Sequence, residues 1–96
     1  MSLGDRQRMF TLMVGDLIRW AYDNGFELSF GDAYAKTGHK DNSFHYSRLA
    51  IDLNLFIDGV YQTTTEAHEP LGEYWKAQGG TWGGDWNDGN HYSLGE

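Results

Sequence analysis

The sequence predicts a single α+β domain in which two helices pack against a small, mainly antiparallel sheet. Apolar residues recur at three- and four-residue steps near the N-terminus, and a central stretch alternates apolar with other side chains. A two-residue turn signal follows that stretch directly, which favours an antiparallel hairpin. The chain has 96 residues, of which 40% are hydrophobic, so we expect one core and one domain spanning residues 1–96.

The first part of the chain is predicted to form a helix, a short strand and a loop. Over residues 5–24, the apolar positions would cover one face of an amphipathic helix. Gly25 is placed to end this helix in a left-handed cap, and residues 26–30 alternate as a strand does. Residues 31–42 are polar and contain glycine, which is typical of a loop.

The strongest strand prediction covers residues 48–57. Asp58-Gly59 is a hairpin signal, and a return strand is predicted to begin with residues 60–62. One face of the long strand would carry an aliphatic stripe, formed by Leu49, Ile51, Leu53 and Leu55.

The last part of the chain is predicted to contain a second helix, a loop and a short strand. The helix lies within residues 66–78, and its firm part is 70–77 because proline is tolerated only in a first turn. From Trp82 a glycine-rich loop is predicted to run into a short strand that begins at His91.

Composition excludes several classes of function. With 14 acidic and 7 basic residues the net charge is −7, which argues against nucleic acid as a partner. There is no cysteine, so any metal site must use imidazole and carboxylate. No apolar run has the roughly 20 residues of a membrane span, and no signal-peptide pattern opens the chain. We therefore expect a cytoplasmic protein without membrane insertion; its oligomeric state is not predicted.

Two histidines and an aspartate form the most informative set of polar residues. Two imidazoles and one carboxylate, supplied by His45, Asp52 and His91, are what a catalytic zinc ion needs if its fourth position is to stay open. Asp52 falls on the strand face shared by Ala50 and Asn54, opposite the aliphatic stripe. That position fits either a solvent-facing carboxylate, the commoner case, or one held by a strong partner.

The two histidines of the set have their own alternatives. His45 lies seven residues before Asp52, and an odd spacing within one strand would put the two side chains on opposite faces. A shared ion therefore requires that His45 precede the strand. Asp88-Gly89 favours a turn that would bring a second carboxylate back toward His91, where it could act as a general base. The alternative is a turn-forming Asp88 and a half-buried structural His91.

In combination, these residues resemble a known family. Ser43-x-His45-x6-Asp52 followed by Asp88-x-x-His91 is similar to the zinc peptidases of the D-alanyl-D-alanine carboxypeptidase-like family, and their context resembles the phage-type branch, the L-alanyl-D-glutamate endolysins. The similarity extends over nearly the whole chain. It includes three further stretches, which are residues 48–56, 71–75 and 82–84.

The resemblance implies a function and roles for the residues. His45, Asp52 and His91 would bind Zn²⁺, and Asp88 would be the general base in hydrolysis of a peptidoglycan stem peptide. The family often presents an arginine to the substrate; here Arg48 or Lys36 is expected to take that place. The remaining candidates for substrate contact are Ser43 and Trp86.

The resemblance leaves a choice among three functions. The first expectation is a phage endolysin that cleaves the L-alanyl-D-glutamate bond and reaches the wall after release at host lysis. The alternatives are a D-Ala-D-Ala carboxypeptidase, or a non-catalytic phage structural or wall-binding protein on the same scaffold.

Overall fold

The computed structural model describes residues 1–31 and 48–94. It confirms the predicted α+β class, with two helices and a five-stranded antiparallel sheet. In chain order the helices and strands are α1 (Leu3–Asp23), β1 (Phe26–Phe30), β2 (Ala50–Ile57), β3 (Val60–Tyr61), α2 (Glu69–Ala77), β4 (Thr81–Trp82) and β5 (His91–Ser93). Two short 3₁₀ turns, Glu66–His68 and Gly83–Trp86, precede α2 and follow β4.

Strand β2 is the centre of the sheet. The strand order is β1-β2-β5-β4, and β3 pairs with the last two residues of β2 on the side that β5 also occupies. Every pairing is antiparallel. The hairpin predicted at Asp58-Gly59 is confirmed: both residues have positive φ, 52° and 78°, as a type I′ turn requires.

Two predicted boundaries were wrong by two residues. Helix α1 begins earlier than expected, because Ser2 caps it: the Ser2 hydroxyl accepts a hydrogen bond from the Asp5 amide, and the Asp5 carboxylate accepts one from the Ser2 amide. Strand β2 begins later than expected, because Arg48 has a φ of 59° and the chain becomes extended only after it. The left-handed end of α1 at Gly25 is confirmed.

Both helices pack on the same face of β2. The predicted aliphatic stripe is buried, whereas Asp52, Asn54 and Phe56 on the other face remain partly exposed. Burial of the apolar face against the helices is the main stabilising contribution, at roughly 25 cal/mol per Å². The core comprises Phe10, Val14, Leu17 and Ala21 of α1, Leu49, Ile51, Leu53 and Leu55, Leu71 and Trp75 of α2, and Trp82 and Tyr92.

The segment predicted as one glycine-rich loop is more ordered than expected. It begins with the last residue of β4, the buried Trp82, and contains the Gly83–Trp86 turn. The Trp82 indole donates a 2.7 Å hydrogen bond to the Gly89 carbonyl, while the Trp75 indole donates to the carbonyls of Thr81 and Ser93. Gly80 and Gly84 permit these close approaches, because a Cβ at Gly80 would lie 2.1 Å from the Trp75 ring and one at Gly84 2.2 Å from the Trp82 ring.

The loop predicted at residues 31–42 lies almost wholly outside the described residues. Among the helices that the structure describes, none is long and apolar enough to cross a membrane.

Two helical glycines allow a matched test of the packing between α2 and Trp82. A Cβ at Gly72 would lie 2.1 Å from the Trp82 ring, whereas a Cβ at the exposed Gly15 of α1 would meet nothing within 4 Å. We expect Gly72→Ala to lower the free energy of unfolding by about 1–3 kcal/mol through overpacking. Gly15→Ala should raise it by about 0.5–1 kcal/mol through helix propensity. Urea denaturation of both variants measures this, and equal effects would contradict the packing.

Candidate metal and peptidase site

Asp52 and His91 form a cross-strand pair at the middle of the sheet. They are direct partners in the register of β2 and β5, so their side chains project from the same face. His91 Nδ1 lies 3.6 Å from Asp52 Oδ1, and the two side chains are 8% and 19% exposed. The predicted convergence of these two residues is therefore present in the structure.

The spacing of this pair suits two ligands of one cation. At 3.6 Å the two atoms are too far apart for a good hydrogen bond. Two ligands at zinc bond lengths of about 2.0–2.2 Å and a tetrahedral angle lie roughly 3.3–3.5 Å apart. Within residues 1–31 and 48–94, no group of three or more His, Asp or Glu residues forms a complete metal site.

The described chain is interrupted close to this pair. The Gly31 amide donates a 2.8 Å hydrogen bond to the Asp52 carbonyl, which extends the pairing of β1 with β2. From Gly31 the chain continues into residues 32–47 and returns at Arg48, two residues before β2. The predicted residues Lys36, Ser43 and His45 lie outside the described residues, so their roles stay predictions.

Asp88 occupies the predicted turn before β5. Its carbonyl accepts a 3.1 Å hydrogen bond from the His91 amide, which closes the turn and confirms it. The Asp88 amide donates in turn to the Gly83 carbonyl at 2.8 Å. Asp88 is exposed, three residues from one half of the pair, and lines a polar cleft that opens beside β5. Its carboxylate is thus accessible to solvent and to a ligand.

The aromatic residues near the pair divide between the core and the surface. Trp82 and Tyr92 are buried in the core. Trp86 is 49% exposed, and its ring centroid lies 5.6 Å from that of His91. Arg48 is exposed at the end of the segment that leads into β2. Trp86 is therefore placed beside the pair, where it could contact a bound substrate.

The sequence predicts a solvated His68, in a loop or at a helix edge, and the structure shows that this prediction is wrong. It is only 3% exposed, and its Nδ1 lies 2.9 Å from the Tyr92 hydroxyl. Burial lowers the pKa of His68 from 6.5 to about 4, so the imidazole is neutral at pH 7. Burial also raises the pKa of Tyr92, against a smaller opposing effect of a hydrogen bond from Trp82. His68 is buried because the 3₁₀ turn before α2 packs against Tyr92 of β5, a tertiary contact that local sequence does not encode.

A comparison with known families finds a match over the second part of the chain. Residues 37–94, more than half of the chain, match the sequence model of a family described as D-alanyl-D-alanine carboxypeptidase. The matched region includes the four residues His45, Asp52, Asp88 and His91. A comparison with curated proteins finds no match to the chain.

The buried imidazole predicts a pH dependence of stability. Between pH 6.5 and about 4 the unfolded chain binds a proton at His68 that the folded protein does not, so stability falls as the pH falls through this range. Compared with its value below pH 4, the free energy of unfolding above pH 6.5 is higher by about 3 kcal/mol at most. Unfolding free energies of the wild type and His68→Gln are measured by urea denaturation from pH 7.5 to 4, and over this range the wild type should lose up to about 3 kcal/mol that the variant keeps. Parallel curves would contradict a buried neutral His68.

Proposed function

Because the chain belongs to the D-alanyl-D-alanine carboxypeptidase family, we propose that it is a zinc-dependent peptidase that hydrolyses peptidoglycan stem peptides. Membership of the family indicates a peptidase that acts on peptidoglycan; the metal, the ligands and the bond are our proposal. The observation that carries it is the Asp52–His91 pair, which lies within the matched region at a spacing suited to one cation.

His45, Asp52 and His91 are the proposed zinc ligands. The donor set fits zinc, because imidazole nitrogen and carboxylate oxygen are both zinc ligands and the described pair supplies one of each. The chain has no cysteine, so a thiolate ligand is excluded. His45 precedes the described chain by three residues, which span at most about 11 Å of extended backbone. The break before β2 at Arg48 removes the objection from odd spacing, since His45 and Asp52 do not lie on one continuous strand. Zinc, when bound, would supply a Lewis acid that activates water and polarises the scissile carbonyl.

Asp88 is the proposed general base. An exposed carboxylate on a closed turn is held near the strand that carries His91, yet it is free to accept a proton from water. After attack on the carbonyl, the same carboxyl group would return the proton to the departing amine. Asp88 thus moves the proton, and the pair on β2 and β5 holds the metal.

The substrate is proposed to contact residues on either side of the pair. Trp86 offers an exposed ring beside His91, and Arg48 offers a cation at the opposite end of the β2–β5 pairing. Lys36 and Ser43 complete the proposed set. A cation near the site suits a stem peptide, because such peptides carry carboxylates that a guanidinium binds well.

Cleavage of the L-alanyl-D-glutamate bond is the first proposed activity, as in phage endolysins released at host lysis. This choice follows from the resemblance of the chain to the phage-type branch. A D-Ala-D-Ala carboxypeptidase is the second candidate, because the matched family carries that description. A non-catalytic wall-binding protein on this scaffold is the third.

Metal content tests the ligand assignment. We expect His45→Ala, Asp52→Ala and His91→Ala each to lose bound zinc, because two ligands do not hold a catalytic ion tightly. At zinc 100-fold above the Kd, this loss removes about 2.7 kcal/mol of stabilisation and lowers the Tm by on the order of 10 °C. Atomic absorption and calorimetry measure both effects, with Glu73→Ala of α2, an exposed carboxylate, as the control. Full zinc content in any of the three variants would overturn its assignment.

Digestion of purified peptidoglycan tests the reaction and the base. Mass spectrometry of the released muropeptides, with and without a chelator, should show chelator-sensitive cleavage between L-alanine and D-glutamate. Loss of a terminal D-alanine instead identifies the carboxypeptidase.

Asp88→Asn should lower kcat by about 10²–10⁴ while zinc stays bound. The control Asp85→Asn changes an exposed carboxylate three residues earlier that pairs with Lys76, and it should remain active. Bound zinc without any cleavage by the wild type would favour the wall-binding protein.

A further inference from the structure

A gap in the sheet forms a polar cleft beside the proposed metal site. Strand β3 pairs with the end of β2 and β5 pairs with its beginning, both along the same edge. Between them, two single hydrogen bonds continue the edge, from the Leu53 amide to the Asn90 carbonyl and from the Gln62 amide to the Leu55 carbonyl. The cleft has a volume of about 210 Å³. It is lined by Tyr61–Thr65, His68 and Asn87–Asn90.

The walls of the polar cleft are fixed by hydrogen bonds and close packing. Thr65 Oγ1 accepts a 3.2 Å hydrogen bond from the Gly89 amide, which ties one wall to the other. A Cβ at Gly89 would lie 2.6 Å from Thr65 Cα, so glycine is needed for this contact. Thr64 Oγ1 accepts from the Ala67 amide at 3.2 Å. The cleft therefore exists before any ligand binds, which reduces the entropic cost of binding.

Three side chains that line the polar cleft have hydrogen-bonding groups available for a ligand. Within the two described parts of the chain, the side chains of Thr63, Asn87 and Asn90 form no hydrogen bond. Together they offer one hydroxyl and two amide groups, which both donate and accept. Asn90 directly precedes the proposed ligand His91, and Asp88, the proposed general base, also lines the cleft.

The charge of the polar cleft disfavours an anionic ligand. Among the described residues that line it there is no lysine or arginine, and the one carboxylate is that of Asp88. The buried His68 is neutral above pH 4 and supplies no cation. A carboxylate in this cleft would lose water and meet another carboxylate, whereas amides and hydroxyls would find partners.

We infer that the polar cleft binds the uncharged acyl side of the substrate, the N-acetylmuramoyl-L-alanyl portion, through its hydroxyl and amide groups. This inference rests on the proposed function, in which the bond to D-glutamate is cut. On the amine side of that bond the substrate carries the free α-carboxylate of D-glutamate. On the acyl side it carries the sugar hydroxyls, the acetamido group and the lactyl amide, none of which is charged. The cleft matches the acyl side in both charge and hydrogen bonding.

Titration with two probes that differ only in charge tests the inference. The full chain is labelled with ¹⁵N, and N-acetylmuramoyl-L-alanine amide and its free acid are added separately. We expect the neutral amide to shift the backbone signals of Thr63, Asn87 and Asn90. The free acid should bind about two- to fivefold more weakly, the effect of one exposed like-charge contact. Shifts confined to other residues, or tighter binding of the acid, would overturn the inference.

Two variants with matched controls sharpen the test. Thr63→Val removes the hydroxyl at nearly constant volume and should weaken binding of the neutral probe about three- to tenfold. Asn87→Asp adds a charge in the cleft and should increase the discrimination against the acid. Thr11→Val on α1 and Gln78→Glu after α2 make the same chemical changes at exposed positions outside the cleft and should have no effect. Equal binding by wild type and both cleft variants would overturn the inference.

The titration needs neither zinc nor turnover, so it separates the two proposals. Binding in the cleft by a chain that cleaves no stem peptide would contradict the proposed function alone. Cleavage with unchanged KM in Thr63→Val and Asn87→Asp would contradict the cleft assignment alone.

Discussion

The register between β2 and β5 is the constraint on which the rest of the site depends. It sets Asp52 opposite His91, and it also directs Ile51 and Leu53 into the core. A slip by one residue would exchange the two faces, moving the carboxylate into the apolar core and the aliphatic side chains to the site. The same hydrophobic burial that stabilises the fold therefore selects the arrangement that brings the two polar groups together.

Tryptophan side chains hold β5 in this register. The Trp75 indole, projecting from α2, donates to the Ser93 carbonyl at the end of β5. The Trp82 indole donates to the Gly89 carbonyl just before the strand. Each buried ring thus contributes apolar area to the core and one hydrogen bond to the backbone that carries His91. These two hydrogen bonds restrain β5, which has only three residues and therefore few backbone hydrogen bonds of its own to neighbouring strands.

The sequence was sufficient to predict what depends on local periodicity and turn chemistry. Alternation placed Asp52 opposite the aliphatic stripe, and the Asp88 turn placed His91 at a strand start; both are as the structure has them. Burial of His68 was not predictable, because its environment is made by Tyr92, 24 residues away. The left-handed conformation of Arg48 was also missed, since arginine has no intrinsic preference for positive φ.

Helix α1 shows that the folding unit is larger than the region that carries the family pattern. The family match begins at residue 37, well after α1 ends at Asp23. Even so, α1 supplies four buried residues to the one core that also contains Leu53 and Trp75, and the Phe10 ring packs edge-on against Trp75 at 5.8 Å. Without α1 the helix-facing side of β2 would be only partly covered, and the indole that anchors β5 would lose a packing partner. Because Trp75 connects α1 to the strand of His91, the geometry of the site depends on a helix that contributes no residue to it.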